Sequence, residues 1–193
     1  YDTYIQNGSL FKYLRNNIQD FKKTSSKYLI PNLSKVKKLR KELLDKNHDI
    51  LIGISWKSGS KTDCLSNKKS FELTRLAQAL NFKRVKLVNL QYGNNVEEFE
   101  NLKKYQDIKI ENLTSMDIYS DIDALLSLVA ACDEIVTVDN FINHLAGAIG
   151  KKTHVLLPFS CDWRWGINQQ KSYWHRSINL YQQNNISDWE TPL

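Results

Sequence analysis

From residue 50 onward, short runs of apolar residues alternate with stretches in which apolar positions recur every three or four residues. The runs at 50–55, 85–90, 108–110, 134–138 and 153–157, with a shorter one at 178–181, predict strands. Between them, Leu73, Leu76, Ala77 and Leu80 mark one helical face, and Ile122, Leu125, Leu126 and Val129 another. Strands joined through helices imply right-handed crossovers and a parallel α/β sheet with helices on its faces. The first 49 residues have a different rhythm. Leu10, Phe11, Leu14, Ile18 and Phe21 form one helical stripe, and the segment 24–34 breaks it with Pro31 and Asn32. Val36, Leu39 and Leu43 then predict a second helix over about 34–46, since apolar spacing of three and four residues lines one helix face. The division expected is a helical connector over 1–49, forming the tail of a preceding domain, and an α/β domain over 50–193.

Ligands of open parallel sheets bind beyond the carboxyl ends of the strands. That rule selects the loops after Ser55, after Leu90, around Thr114 and after Val138. The last is the most informative. In VTVDNFINHLAGAIGKKTHVLLP, Asp139 closes a strand, Asn140 is a suitable N-cap, and a helix is expected from Phe141 to about Ile149, stopped by Gly150. The unsatisfied amides of its first turn and the helix dipole favour an anion. His144 faces either that anion or a structural neighbour, and helix N-termini of this kind recur in every α/β fold.

The loop after Ser55, GISWKSGSKT, superficially resembles a P-loop. A P-loop needs four residues between its glycines, followed directly by Lys and Ser or Thr. Here five separate Gly53 from Gly59, Ser60 precedes Lys61 and Thr62, and the polar TDCLSNKK delays helical periodicity until about Ser70. The register is wrong for a magnesium-dependent nucleotide hydrolase, although the apolar strand ending at Asp139 imitates the second motif of such enzymes. No GxGxxG, GxSxG, HExxH or Cys/His ligand spacing is present, so no metal site is expected.

Composition changes this picture little. Hydrophobic residues make up 41% of the 193 and charged residues 25%, as in ordinary globular proteins. The net charge of +6 is confined to residues 1–50, which carry eleven Lys or Arg and five Asp or Glu, whereas the rest carries sixteen of each. Those charges lie at helical spacing opposite apolar residues, as on a solvated face, so a nucleic-acid partner is not expected. No apolar stretch approaches bilayer length. Three scattered cysteines suit free thiols in the cytoplasm. Because the chain opens on Tyr1, an upstream portion is expected. Four of five tryptophans fall in the tail; Trp163, Trp165 and Trp174 either pack a loop onto the sheet or line a cleft.

The blocks GISWKSG, KSF opening a helix, LVNLQYG, VTVDNFINHLAGAIGKKTHVLLPF, DWRWG and SYWHRSINLYQQ, in this order, resemble the C-terminal half of the heptosyltransferase-like GT-B glycosyltransferases, particularly the bacterial branch fused behind tetratricopeptide repeats. The likeness spans about residues 50–190, and 8–46 resembles the segment joining the two halves of such enzymes. It implies a Rossmann-like, donor-binding half of a metal-independent sugar transferase, with a nucleoside diphosphate sugar as donor substrate and no tightly bound cofactor. The acceptor (glycan, lipid-linked sugar or protein) and the catalytic base would belong to an N-terminal acceptor domain. The resemblance places the diphosphate at the helix after Asn140, shaped by Asp139, Phe141, Asn143 and His144. Ser55, Trp56 and Lys57 would border the phosphates, with Lys68 or Lys69 offsetting their charge. Gln91, Tyr92 and Asn95 would lie near the ribose, and Thr114, Ser115, Met116 and Asp117 near the base.

The sequence departs from the family pattern at three places. Phe141 stands where a small hydroxylated residue is usual, Asn95 where a ribose-binding carboxylate is usual, and His175-Arg176 where Tyr-Pro is usual. They support a second reading, a non-catalytic binding module that has kept the fold and lost the donor site.

Overall fold

The computed structural model describes residues 4–22, 25, 27–59, 69–114, 116–190 and 192. Its centre is a six-stranded, wholly parallel sheet: β1 (Ile50–Ser55), β2 (Val85–Asn89), β3 (Ile110–Glu111), β4 (Glu134–Val138), β5 (Thr153–Leu157) and β6 (Ile178–Gln182). The spatial order is β3-β2-β1-β4-β5-β6. This is the doubly wound, Rossmann-like arrangement, in which the direction of winding reverses between β1 and β4 and opens a crevice at their carboxyl ends.

Seven α-helices are described: α1 (Phe11–Leu14), α2 (Ile18–Lys22), α3 (Leu33–Leu43), α4 (Leu73–Ala79), α5 (Val96–Leu102), α6 (Ile122–Ala131) and α7 (Phe141–Ala148). None is long and apolar enough to cross a membrane. Side chains alternate across each strand, so β1 serves two cores. Leu51 enters one with Leu39 and Leu43 of α3, Leu125 and Val129 of α6, and Ile142 and Leu145 of α7. Ile54 enters the other with Leu73 and Leu76 of α4 and Leu102 of α5. A smaller cluster of Val155, Leu157, Trp165, Ile178 and Leu180 closes the β5–β6 end.

Helix α3 is joined to this core by more than Leu39 and Leu43. Its Arg40 pairs with Asp133 at 2.8 Å and donates to the Ala131 carbonyl at 2.8 Å, while Asp133 also accepts from the Leu51 N–H at 2.8 Å. One carboxylate thus ties α3 to the start of β4 and to β1. The stretch before α3 is tied to the end of α7: the Tyr28 and Leu29 N–H groups both donate to the Ala148 carbonyl, at 2.9 and 3.1 Å.

The single stripe expected from Leu10 to Phe21 is broken into α1 and α2: Arg15 leaves the helix at φ −142°, and the Asn16 and Asn17 N–H groups donate to Asp20 of the second helix. The strand and helix boundaries expected from residue 33 onward hold to within a residue or two, with two exceptions. Strand β3 is Ile110–Glu111 rather than 108–110, because the Ile108 N–H turns back to the Tyr105 carbonyl. Helix α3 ends at Leu43, where Leu44 becomes extended and Asp45 begins a turn capped by its own side chain through the Asn47 N–H. Gly150 takes a φ of +68° just past α7, the left-handed geometry expected of the residue that stops that helix.

Candidate functional site

At the carboxyl end of β1 the chain would leave three polar groups pointing into the crevice. One side chain takes them all: Gln91, after β2, accepts at its Oε1 from the Ser55 hydroxyl (2.8 Å), the Trp56 N–H (3.0 Å) and the Lys57 N–H (2.8 Å). Gln91 is itself oriented by Asn89, whose Oδ1 accepts from the Gln91 N–H at 2.8 Å. Asn140 completes the arrangement from β4. Its Nδ2 donates to the Ser55 Oγ (2.7 Å) and to the Lys57 carbonyl (2.9 Å). Its Oδ1 accepts from the Ile142 N–H (2.9 Å), capping α7, and from the Thr137 hydroxyl (3.1 Å). Ser58 donates to the Asp139 carbonyl, stitching the same two loops once more.

This clamp fixes the N-terminus of α7 at the switch point of the sheet. An α-helix leaves the N–H groups of its first turn without intrahelical partners. Asn140 caps only the one at Ile142. The remainder of the turn leaves N–H groups and the positive end of the dipole facing the crevice, a setting that favours negative charge. The Lys69 Nζ lies 2.9 Å from the Asp139 Oδ2 at its edge, and the Lys57 ammonium is paired with Glu98 of α5. Phe141, the first residue of α7, leaves 46% of its surface exposed beside this turn. Asn143 is fully buried, its Nδ2 3.4 Å from the Val138 carbonyl. Trp56 is also buried and packs edge-on against Phe99 at 6.1 Å, so its ring belongs to the core.

His144, one turn into α7, stacks on Trp165 with centroids 5.5 Å apart and planes 14° from parallel. Burial pulls its pKa below the usual histidine value, and the nearby Arg164 guanidinium adds to the effect. The ring of His175 lies against the helix at Gly147, where a Cβ would meet its Cγ at 2.3 Å. Burial, and secondarily His144, lowers the His175 pKa to about 4.

Next to the clamp, beyond β2 and β3, lies a cavity of about 590 Å³. The sequence-predicted residues Gln91, Tyr92, Asn95, Thr114, Met116 and Asp117 all line it, although they come from two loops separated by α5 and β3. Asn95 donates to the Gln91 carbonyl at 3.1 Å, and its buried Oδ1 has no hydrogen-bond partner among the described residues. The Asp117 carboxylate accepts from the Ser120 and Tyr119 N–H groups, which hold its pKa below the usual carboxylate value and shape the loop. Lys68 and Ser115, together with Ser60, Lys61 and Thr62 of the P-loop-like stretch, lie outside the described residues.

The sequence reading missed Tyr119, Phe99 and Val96 on the walls of this cavity, and Asn112, whose Oδ1 accepts from Asn89 at 3.1 Å. Tyr119 sits 6.3 Å from Tyr92 between ring centroids. An aromatic residue two positions after Asp117 was the available signal. Of the tail tryptophans, Trp165 packs (1% exposed), whereas Trp163 (71% exposed) and Trp174 line a second cavity that includes His144. Among the described residues, no three His, Cys, Asp or Glu side chains gather as a metal site.

The fold is that of the heptosyltransferase-like glycosyltransferases. The chain superposes on E. coli ADP-heptose LPS heptosyltransferase II with a TM-score of 0.62 and 16% identity, over 93% of this chain and 54% of that one. It also superposes on a glycosyl transferase family 9 protein from Veillonella parvula DSM 2008 with a TM-score of 0.58 and 15% identity, over 83% of this chain and 44% of that one. In sequence it is 26% identical to Protein FlbA of Caulobacter vibrioides over 200 residues, covering 98% of this chain and 33% of FlbA. No family model matches. The chain therefore spans about half the length of the heptosyltransferase it resembles and a third of FlbA.

Proposed function

We propose that this chain is the nucleotide-sugar-binding part of a sugar transferase, with the donor's diphosphate on the first turn of α7 and its nucleoside in the cavity beyond β2 and β3. One observation carries the reading. The clamped N-terminus of α7 and a cavity of about 590 Å³ share Gln91, so a single ligand reaching from anion site to cavity spans the crevice of the 3-2-1-4-5-6 sheet. The likeness in fold to two sugar transferases supports the same class.

In this reading the leaving diphosphate is stabilised by groups that are already in place. Fixed amides and a helix dipole meet the charge that develops as the glycosidic bond breaks, without reorganising. Lys69 exchanges Asp139 for a phosphate oxygen, which makes the site independent of a metal ion. Tyr92 and Tyr119 offer aromatic faces to the nucleoside. The general base and the acceptor site are assigned to a further domain of a longer protein, with tetratricopeptide repeats as the accompanying module, so the chain alone binds and does not turn over.

A second reading rests on Phe141 and on the Lys69–Asp139 pair: a bulky ring and a neutralised lysine at the anion site suit an interaction module with a degenerate pocket. Titration calorimetry without metal, against UDP, ADP, GDP and CMP, separates the two. Saturable binding of one of them supports the donor-binding reading. A folded chain that binds none at millimolar concentration supports the module, and a Phe141→Ser variant that then gains binding identifies the lost site.

A further inference from the structure

Strand β6 is one edge of the sheet, and its main-chain groups alternate between two sides. The Ser177 carbonyl accepts from the Thr153 N–H and the Gln183 N–H donates to the Leu157 carbonyl, so odd-numbered residues bond to β5 and even-numbered ones face outward. The chain covers the start of that outward row itself. Lys171 opposes Asn179 in an antiparallel bridge, the Ser172 N–H donates to the Ile178 carbonyl at 3.2 Å, and the Leu180 N–H donates to the Gln170 carbonyl at 3.0 Å. There the cover ends. The bond that would complete the last pair, from the Gln170 N–H to the Leu180 carbonyl, is not made, and Asn168 turns the chain aside at φ +53°. The Leu180 carbonyl and both main-chain groups of Gln182 are left beside a cavity of about 390 Å³. An open edge of this kind is a template for pairing with another chain.

The lining suits a neutral main chain. Asn168, Gln169, Gln170, Gln182, Gln183 and Asn184 all contribute carboxamide residues to it, and among the described residues that line it none is charged. A carboxamide both donates and accepts, as a peptide group does, whereas an ion would lose its water here and meet no opposite charge. Gln183 is 4% exposed; its Oε1 accepts from the Phe159 N–H at 3.0 Å, and its Nε2 has no partner among the described residues. A buried donor in that state is destabilising until a ligand supplies an acceptor. Phe159 and Tyr181, 48% and 38% exposed, add apolar surface to the walls.

We propose that the open end of β6 binds an extended, uncharged peptide segment of another protein, which continues the antiparallel pairing begun by residues 170–172. One residue of the peptide exchanges both main-chain bonds with Gln182, the Leu180 carbonyl takes a further peptide N–H, and the Gln183 Nε2 donates to a peptide carbonyl. This is strand addition at a sheet edge, in which main-chain bonds supply the affinity. A second copy of the chain does not fit as the partner, because residues 170–172 already occupy the start of the edge and two such strands cannot lie side by side along their length. The site shares no residue with the clamp or with the cavity beyond β2 and β3, so the proposal stands apart from the nucleotide reading. A carbohydrate also suits carboxamides, but it has no use for the open main-chain pair of Gln182.

The test is an amide-resolved NMR titration with three probes: the capped hexapeptide acetyl-(Ser-Thr)3-amide, the same peptide N-methylated throughout, and maltotriose. The capped peptide should shift residues 168–170 and 180–184 most, with a dissociation constant on the order of 1 mM, and should slow solvent exchange of the Gln182 N–H. The N-methylated peptide, which has no N–H to donate, should bind about tenfold more weakly or worse. Gln182→Pro removes the outward N–H and leaves the residue beside β5, as proline is tolerated on an edge strand; it should weaken the capped peptide about tenfold. The N-methylated probe needs no variant, so the test holds even if Gln182→Pro fails to fold. Absence of shifts in these two segments at about 10 mM peptide, or equal affinity for the N-methylated peptide, overturns the proposal. Maltotriose shifting these residues where the peptide does not overturns it as well, in favour of a carbohydrate site.

Discussion

The carboxyl ends of β1 and β4 and those of β2 and β3 lie side by side on one sheet, but their polar groups are used in opposite ways. In the first region, Ser55, Gln91 and Asn140 are buried and spend their hydrogen bonds on one another and on nearby backbone. In the second, Tyr92, Thr114 and Asp117 surround open space. The difference separates framework from contact surface. The clamp sets where the α7 amides stand, and the cavity supplies the side chains a ligand would meet. Of the residues that sequence reading assigns to the phosphates, Ser55 and Asn140 therefore act through position, and what they hold in place is backbone.

The largest effect expected on either side is at Gln91. Gln91→Leu strands the Trp56 and Lys57 N–H groups and the Ser55 hydroxyl in a buried setting, at about 1–3 kcal/mol for each group left unsatisfied. A denaturant titration should show a loss of at least ~3 kcal/mol. Asn140→Ala removes a helix cap worth about 1 kcal/mol, and the ties to Ser55 and Lys57 with it; the same titration should show roughly 2 kcal/mol. A loss below half of that would mean the clamp is not the framework described.

Lys69→Ala should act on both sides of the comparison. Its partner Asp139 is buried, so stability should fall by about 1–3 kcal/mol as that carboxylate loses its charge partner, while nucleoside diphosphate affinity should fall about tenfold. A stability loss with unchanged affinity would place Lys69 with the framework alone. Tyr92→Ala should spare stability and weaken nucleotide binding by about five- to tenfold, as expected for loss of one aromatic contact face.

A smaller, pH-dependent effect follows from His175. Its folded pKa, about 4, lies below that of an unfolded histidine, so the unfolded chain binds the extra proton between those values. The histidine therefore costs nothing above about pH 6.5, and its burial becomes progressively destabilising as pH falls toward 4. Thermal melts should show Tm declining over that window, more steeply than in His175→Phe. Parallel pH profiles for the two proteins would assign the decline to other groups.

Much of this was legible in the chain itself, for identifiable reasons. Short apolar runs predicted β1 and β4, which are buried on both faces of the sheet, and helical spacing predicted α6 and α7, which pack against it. Gln91, Tyr92 and Asn95, which the family likeness grouped with Thr114, Met116 and Asp117, line one cavity with them. What was not legible depends on contacts distant in sequence. Nothing in LVNLQYG says that the Gln91 side chain turns inward to accept three bonds from β1. Nor does WRWG reveal that Trp165 packs while Trp163 stays open; residues two apart in a single 3-10 turn face different ways, and Trp165 is the one turned toward Val155, Leu157, Ile178 and Leu180 of the sheet.

The central claim, one nucleotide reaching from the α7 amides into the β2–β3 cavity, is most directly tested by amide-resolved NMR titration of the protein with whichever nucleoside diphosphate binds. The account predicts that the largest shifts cluster at residues 139–144, 91–95 and 114–119, and move together with one dissociation constant. Shifts confined to one of these regions, or centred elsewhere on the molecule, would contradict it.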